Sequence, residues 1–295
     1  MMLYRLLSYL PFPLLYALAW LAYLILYFLV RYRRDVVREN LAKAFPEKDN
    51  MERAALAKSF YRQLTQVGIE IVKARRMDQA EFQKRVNVIN PELLRQVSNG
   101  FRDSVIVLTI HQGNWEWMLH GTTAASGIPM DPVYKPLHNK AADKLIFEIR
   151  SRFGSRPLSL ELSAKDILRN RRQFRFLVMV ADQSPIRRER SIWTSFMNQQ
   201  AAFHPGAENI ARLTGFPVVF AQCRRRSRGY YDIEFHPLAK PPYDDNGQAI
   251  TEQYVRMAER AIRAEPESWL WSNRRWKRRR DADLPPPQGS RSTIG

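Results

Sequence analysis

Cysteine is almost missing from this chain: among 295 residues there is one, Cys223. A single thiol closes no intrachain disulfide and gives no paired sulfur ligands, which excludes a disulfide-stapled scaffold and a cysteine-based zinc site. It is expected to be a small buried apolar residue rather than a nucleophile. Glycine-rich phosphate loops are missing as well. With neither a Walker A loop nor a GxGxxG turn, the P-loop and dinucleotide-binding classes drop out. There is no internal repeat and no evident secretory cleavage site. Acidic residues are scarce beside basic ones, 29 against 47, leaving a formal net charge of +18. Such a surface seeks polyanions: nucleic acid, anionic lipid headgroups, phosphorylated substrates or an acidic carrier protein. The basic residues are spread along the chain, without a nucleic-acid-binding module, so no nucleic-acid partner is expected.

What the chain does have begins near its N-terminus. From Leu6 to Val30 no residue is charged, and a bilayer core needs about 20 apolar residues to cross. Tyr9, Trp20, Tyr23 and Tyr27 bring aromatic rings suited to an interface, and Pro11 and Pro13 mark the start of the regular helix. Arg31, Arg33 and Arg34 follow at once, against Arg5 alone before. This bias places the C-terminal side in the cytoplasm, in a single-pass arrangement. A helix lying in the membrane interface is the variant that the prolines leave open. A short amphipathic helix ending near Phe45 and a long one from Met51 to about Arg75 are expected next. In the second, Leu56, Phe60, Leu64, Val67 and Ile71 recur at spacings of three and four.

The chain is organised around 104–120, SVIVLTIHQGNWEWMLH. Its first half is a β-branched apolar run that reads as a buried strand. His111 stands at its end, a Gln112-Gly113 turn follows, and Asn114 is placed to cap a helix beginning at Trp115. Glu116 then lies in the first helical turn, where the helix dipole favours its charge. Across a strand–turn–helix junction His111 and Glu116 converge, and an imidazole oriented by a carboxylate is a general base that activates a hydroxyl. A His–Glu pair at this spacing is common by chance. Its position at a strand's carboxyl end, where α/β proteins gather ligands, gives it weight. Phe176 to Val180 is a second buried strand, with Asp182 and Gln183 just past its end. Ser184 to Gln200 reads as irregular, and Val218–Gln222 and Tyr230–Phe235 as strands joined by a basic turn. Helices are expected over 141–153, 163–172, 206–213 and 251–264. Strands alternating with helices argue one α/β domain with a central mixed sheet flanked by helices, over 31–280, preceded by a membrane anchor at 1–30 and followed by a disordered basic, Pro-rich tail at 281–295.

Several separated stretches then form one pattern. His111-x4-Glu116 looks like the HX4(D/E) motif of glycerolipid-type acyltransferases. Together with RRDVVRENLAKAFPEK at 33–48, VYKP at 133–136, Asp182-Gln183, HPGAENIARLTGFPVV at 204–219 and WLWSNRRWKRR at 269–279, it resembles the bacterial lipid A biosynthesis acyltransferases. That resemblance implies an inner-membrane enzyme, facing the cytoplasm, that moves an acyl chain from an acyl carrier protein thioester. The acceptor is a hydroxyl of a 3-hydroxyacyl chain on a lipid A precursor glycolipid, and no metal or other cofactor is required. It makes His111 the base and Glu116 its partner. It makes Asn114, Tyr134, Lys135, Arg150, Arg152, Asp182, Arg274 and Arg275 the residues around the substrate. The chain departs from the family in having Asn273-Arg274-Arg275-Trp276-Lys277 for a usual HRRFK, Tyr-Lys-Pro for Tyr-Arg-Pro, and Ser184-Pro185 after Asp-Gln. These departures leave open another lysolipid, or an amino-acid-containing lipid, as acceptor.

Overall fold

The computed structural model describes residues 2–185, 191–244 and 247–278. The Pro-rich tail expected at 281–295 lies outside the described residues.

Two apolar helices open the chain, α1 (Met2–Tyr9) and α2 (Phe12–Leu24). Pro11 lies between them and Pro13 in the first turn of α2, since proline starts a helix readily but cannot continue one. A π-helical turn, Ile25–Leu29, extends α2 to the length of a candidate membrane span, Phe12–Leu29. Then come α3 (Arg34–Ala44) and α4 (Asn50–Ala74); Asp49 and Glu52 form a reciprocal capping box at the start of α4. After α5 (Gln79–Arg85), β1 (Val86–Val88) and α6 (Pro91–Val97), the chain enters β2 (Val105–Thr109), α7 (Trp115–Ser126), β3 (Met130–Tyr134), α8 (Lys140–Arg150), β4 (Leu158–Ser159), α9 (Leu160–Arg169) and β5 (Phe176–Val180). A hairpin, β6 (Ile192–Phe196) and β7 (Gln199–Phe203), precedes α10 (Gly206–Thr214), β8 (Val218–Ser227), β9 (Tyr230–Ala239) and α11 (Ala249–Ala264).

Seven strands form a mixed sheet in the order β1-β9-β8-β2-β5-β3-β4. The run from β8 to β4 is parallel, and β9 turns the other way against β8. β2 sits at the centre and all five of its residues are buried. Ile106 and Leu108 belong to the core on one face of the sheet, Val105 and Val107 to the core on the other. That two-sided burial is why its sequence is an unbroken apolar run rather than an alternation.

The sequence expectations hold for β2, β5 and the Asn114 cap, and differ elsewhere. Much of the stretch read as irregular, 184–200, goes instead into the β6–β7 hairpin over 192–203. Its turn uses Met197 and Asn198, both at positive φ (50° and 64°). A tight hairpin turn of that kind is normally announced by Asn-Gly, and Met197 masks it. β8 and β9 run on through the stretch read as a basic turn, leaving Arg228-Gly229 as the reversal. Ser163 does not open α9; the helix begins three residues earlier, and the Ser163 hydroxyl donates back to the Leu160 carbonyl at 2.9 Å.

Candidate active site

β2, β5 and β3 are adjacent and parallel, so their carboxyl ends bring His111, Asp182 and Tyr134 to one edge of the sheet. His111 follows β2, and its Nδ1 lies 2.6 Å from Asp182 Oδ1. Asp182 Oδ2 accepts from the His111 backbone N–H at 3.0 Å and from the Trp269 indole N–H at 2.7 Å. Burial would raise the Asp182 pKa, but the His111 charge and these hydrogen bonds outweigh it and hold the carboxyl below its usual range. An ionised carboxylate only accepts, so His111 Nδ1 carries a hydrogen, and in the neutral ring Nε2 then presents its lone pair. The Gln183 amide nitrogen stands 3.3 Å from that Nε2. The Trp115 ring meets the imidazole edge-on, with centroids 5.2 Å apart.

Glu116 is not the partner of the imidazole. Its carboxylate is held by Arg150 from the end of α8, through Nε at 2.8 Å and through a second, Nη2 contact. Burial raises the Glu116 pKa, and the adjacent Arg150 charge and hydrogen bonds overcome it, so the carboxyl stays below its ordinary value. The sequence reading gave Glu116 the role of orienting His111; the geometry puts Asp182 there. A residue in the first turn of α7 projects toward α8, whereas β5 lies in register beside β2 and delivers Asp182 to the ring.

Gly113 lies between His111 and α7 at φ +58°, and an added Cβ would sit 2.7 Å from the Cys223 carbonyl oxygen. Only glycine fits that turn at both counts. The C-terminal segment straps across it. Leu270 N–H donates to the His111 carbonyl at 3.0 Å, and Gly113 N–H donates to the Ser268 carbonyl at 3.2 Å. The Gln112 amide reaches Ala261 and Glu265 carbonyls at 2.8 and 3.2 Å, while Tyr254 donates to the Thr109 carbonyl at 2.9 Å. From α3, Asn40 donates to the Trp271 and Asn273 carbonyls, each at 2.7 Å.

The other predicted site residues divide. Tyr134 is half-buried with the Arg150 guanidinium 5.2 Å from its ring centroid, and so joins the Glu116–Arg150 pair. Lys135 and Arg274 are exposed. Arg152 donates to the Ala74 carbonyl at the end of α4. Two of the residues expected around the substrate are buried. Asn114 is fully buried with its amide used at both ends, accepting from Trp117 N–H and donating to Glu70 Oε2, each at 3.0 Å. Arg275 is buried, donates to the Ala202 carbonyl at 2.9 Å and lies 4.2 Å from the Phe203 ring centroid. Trp269 and Trp271 are core residues at 2% and 0% exposure. The Trp269 hydrogen bond to Asp182 and the buried Glu70 beneath the Asn114 cap are the contacts around the site that sequence reasoning did not anticipate. Neither carries a local signal, because their partners are 87 and 44 positions away. Cys223 is buried as expected, and burial pushes its thiol up to about 12. Among the described residues no three His, Cys, Asp or Glu side chains gather as a metal site.

Residues 1–278 match the bacterial lipid A biosynthesis acyltransferase family. The chain is similar to a lipid A biosynthesis lauroyltransferase of Escherichia coli, 26% identical over 277 residues, which cover 92% of this chain and 87% of that protein. It is similar also to a lipid A biosynthesis acyltransferase of Haemophilus influenzae, 24% identical over 256 residues covering 85% and 78%. A third relative is lipid A biosynthesis acyltransferase 2 of Shigella flexneri, 25% identical over 266 residues covering 84% and 78%.

Proposed function

The chain belongs to the bacterial lipid A biosynthesis acyltransferases, and on that premise we propose that it carries an acyl group from an acyl carrier protein thioester to a hydroxyl of a 3-hydroxyacyl chain on a lipid A precursor. The observation that carries the chemistry is the buried Asp182 on His111 Nδ1; in the neutral ring this leaves Nε2 as an acceptor. An aliphatic hydroxyl does not ionise at neutral pH and needs a positioned base. In this reading the acceptor hydroxyl displaces the Gln183 amide and gives its proton to Nε2 as its oxygen attacks the thioester carbonyl. The new carbon–oxygen bond forms and the carbon–sulfur bond breaks. The departing sulfur takes the proton back from His111. Asp182 fixes the tautomer and stabilises the imidazolium, as a triad carboxylate does. Arg150 is occupied by Glu116, so the N–H groups at the start of α7 are the better donors to the tetrahedral oxyanion. The net charge of +18 suits an acidic carrier protein, a phosphorylated glycolipid and an anionic leaflet. Residues 1–30 hold the enzyme to the inner membrane, with the catalytic domain on the cytoplasmic side.

The test is acyl transfer from a set of acyl carrier protein thioesters, lauroyl among them, to a tetra-acylated lipid A precursor. The full chain is compared with its His111→Ala variant. Transfer that falls by about 10²–10⁴-fold in the variant supports both the class and the base. Folded, membrane-bound full chain that transfers nothing overturns the acceptor assignment, and other lysolipids are then the acceptors to assay.

A further inference from the structure

The apolar N-terminal segment is not a free-standing tether. The inner face of α2, with Leu15, Ala19, Tyr23 and Tyr27, is buried, and α2 packs along α4. The Tyr16 hydroxyl donates to the buried Glu70 on α4 at 2.9 Å. Cations of the domain follow the helices from end to end. Arg76 lies 4.1 Å from the Tyr9 ring centroid, Arg85 3.7 Å from Phe12, Arg228 5.2 Å from Tyr16, Arg62 6.0 Å from Tyr23 and Arg34 4.5 Å from Tyr27. Lys73 donates to the Leu10 carbonyl at 2.9 Å. Opposite this charged, docked face, α2 exposes Leu14, Leu18, Leu21, Ile25 and Phe28.

A helix of this length reaches across most of a hydrocarbon core. If it crossed while docked, the cations beside Tyr16 and Tyr23 would be carried to the middle of the bilayer, together with the polar face of α4. Ionised side chains there are strongly disfavoured. The docked assembly, with an apolar face of α2 outward and the domain's cations along its flanks, is instead suited to lie at the interface, its apolar side among the acyl chains and the domain's charges at the headgroups. We propose that α1 and α2 do not cross the membrane but lie in the plane of one anionic leaflet, with Leu14, Leu18, Leu21, Ile25 and Phe28 in the acyl region and the catalytic domain seated on the headgroups. This rests on the membrane association proposed above, not on its chemistry.

The experiment uses the full chain carrying Cys223→Ala, with a single cysteine introduced by Tyr4→Cys or, as the domain-side control, Met51→Cys. Residues 4 and 51 are exposed, at 38% and 80%. A membrane-impermeant maleimide is applied to spheroplasts and to inverted inner-membrane vesicles of a Gram-negative host. The in-plane arrangement labels both positions in inverted vesicles and neither in spheroplasts. Labelling of Tyr4→Cys in spheroplasts, with Met51→Cys labelled in inverted vesicles, overturns it. Quenching of Trp20 by lipids brominated at different acyl depths, taken as the difference from Trp20→Phe, gives a second readout. Strongest quenching by bromines near the headgroup is expected. Strongest quenching near the chain ends overturns the proposal even if residue 4 is labelled from neither side. Neither readout depends on acyl transfer, so failure here is separable from failure of the functional reading.

Discussion

Replacing Asp182 with Asn would keep the outline of the carboxyl while turning part of it into a donor. His111 would then tend to reverse its tautomer and lose its lone pair on the substrate side. Asp182→Asn should lower kcat by about 10²–10⁴-fold with little change in KM, measured by acyl transfer at saturating thioester. Glu116→Gln should behave differently. It leaves Arg150 buried against a neutral amide, and breaking a buried ion pair from one side costs about 3–5 kcal/mol. Urea unfolding should report that loss, whereas Asp182→Asn should lose far less stability than activity. His120 adds a pH effect of its own. Its ring packs against Phe82 and Phe153, and its buried Nε2 has no hydrogen-bond partner among the described residues. Burial lowers its pKa from 6.5 to about 4. Between those values the unfolded chain binds a proton that the folded chain refuses, so stability falls as pH drops from 6.5 toward 4 and is unaffected by this group above 6.5. Going from pH 7 to pH 5 should cost about 2 kcal/mol through His120. His120→Phe should flatten that slope in thermal melts, and an unchanged slope would assign the effect elsewhere.

The elements themselves were legible wherever a local rule governs them. The β-branched run of β2, the Asn114 cap of α7 and the apolar run of β5 each follow from neighbours in sequence. What joins the elements was not. The Asp182 partner of His111 lies 71 positions away and the Arg150 partner of Glu116 lies 34 away. Spacing within one motif favoured Glu116 for the imidazole, because the five-residue interval is visible and the register of β2 with β5 is not. Arg275 and Asn114 are polar residues in familiar-looking motifs that the fold uses to hold backbone and to cap a helix. The turn between β2 and α7 is the most demanding junction. Gly113→Ala would meet both a positive φ and the Cys223 carbonyl oxygen. It should lower the melting temperature and displace His111, with activity falling more than stability. Transfer by a folded Gly113→Ala at the wild-type rate would show that this turn does not set the position of His111.

At the scale of the whole molecule, the docked N-terminal helices are part of the folded body. Deleting residues 1–30 should not release a soluble, active domain. It uncovers Tyr61, which packs against Tyr27, and strips the Tyr16 hydroxyl from Glu70. The truncated chain should aggregate or melt without a cooperative transition, as calorimetry of detergent-solubilised protein would show. A truncated chain with the full-length melting temperature would count against the docked arrangement. Glu70 also links events far apart in the making of the protein. Its carboxylate accepts from Tyr16, Asn114 and Tyr231, at 2.9, 3.0 and 2.5 Å. Tyr16 leaves the ribosome early and Tyr231 late, an interval on the order of ten to forty seconds at roughly 5–20 residues per second. For that time the first helices have no finished surface to rest on, so the nascent chain depends on shelter for its oily leading end. Biogenesis of this enzyme is therefore expected to begin with membrane contact and to end with catalytic competence.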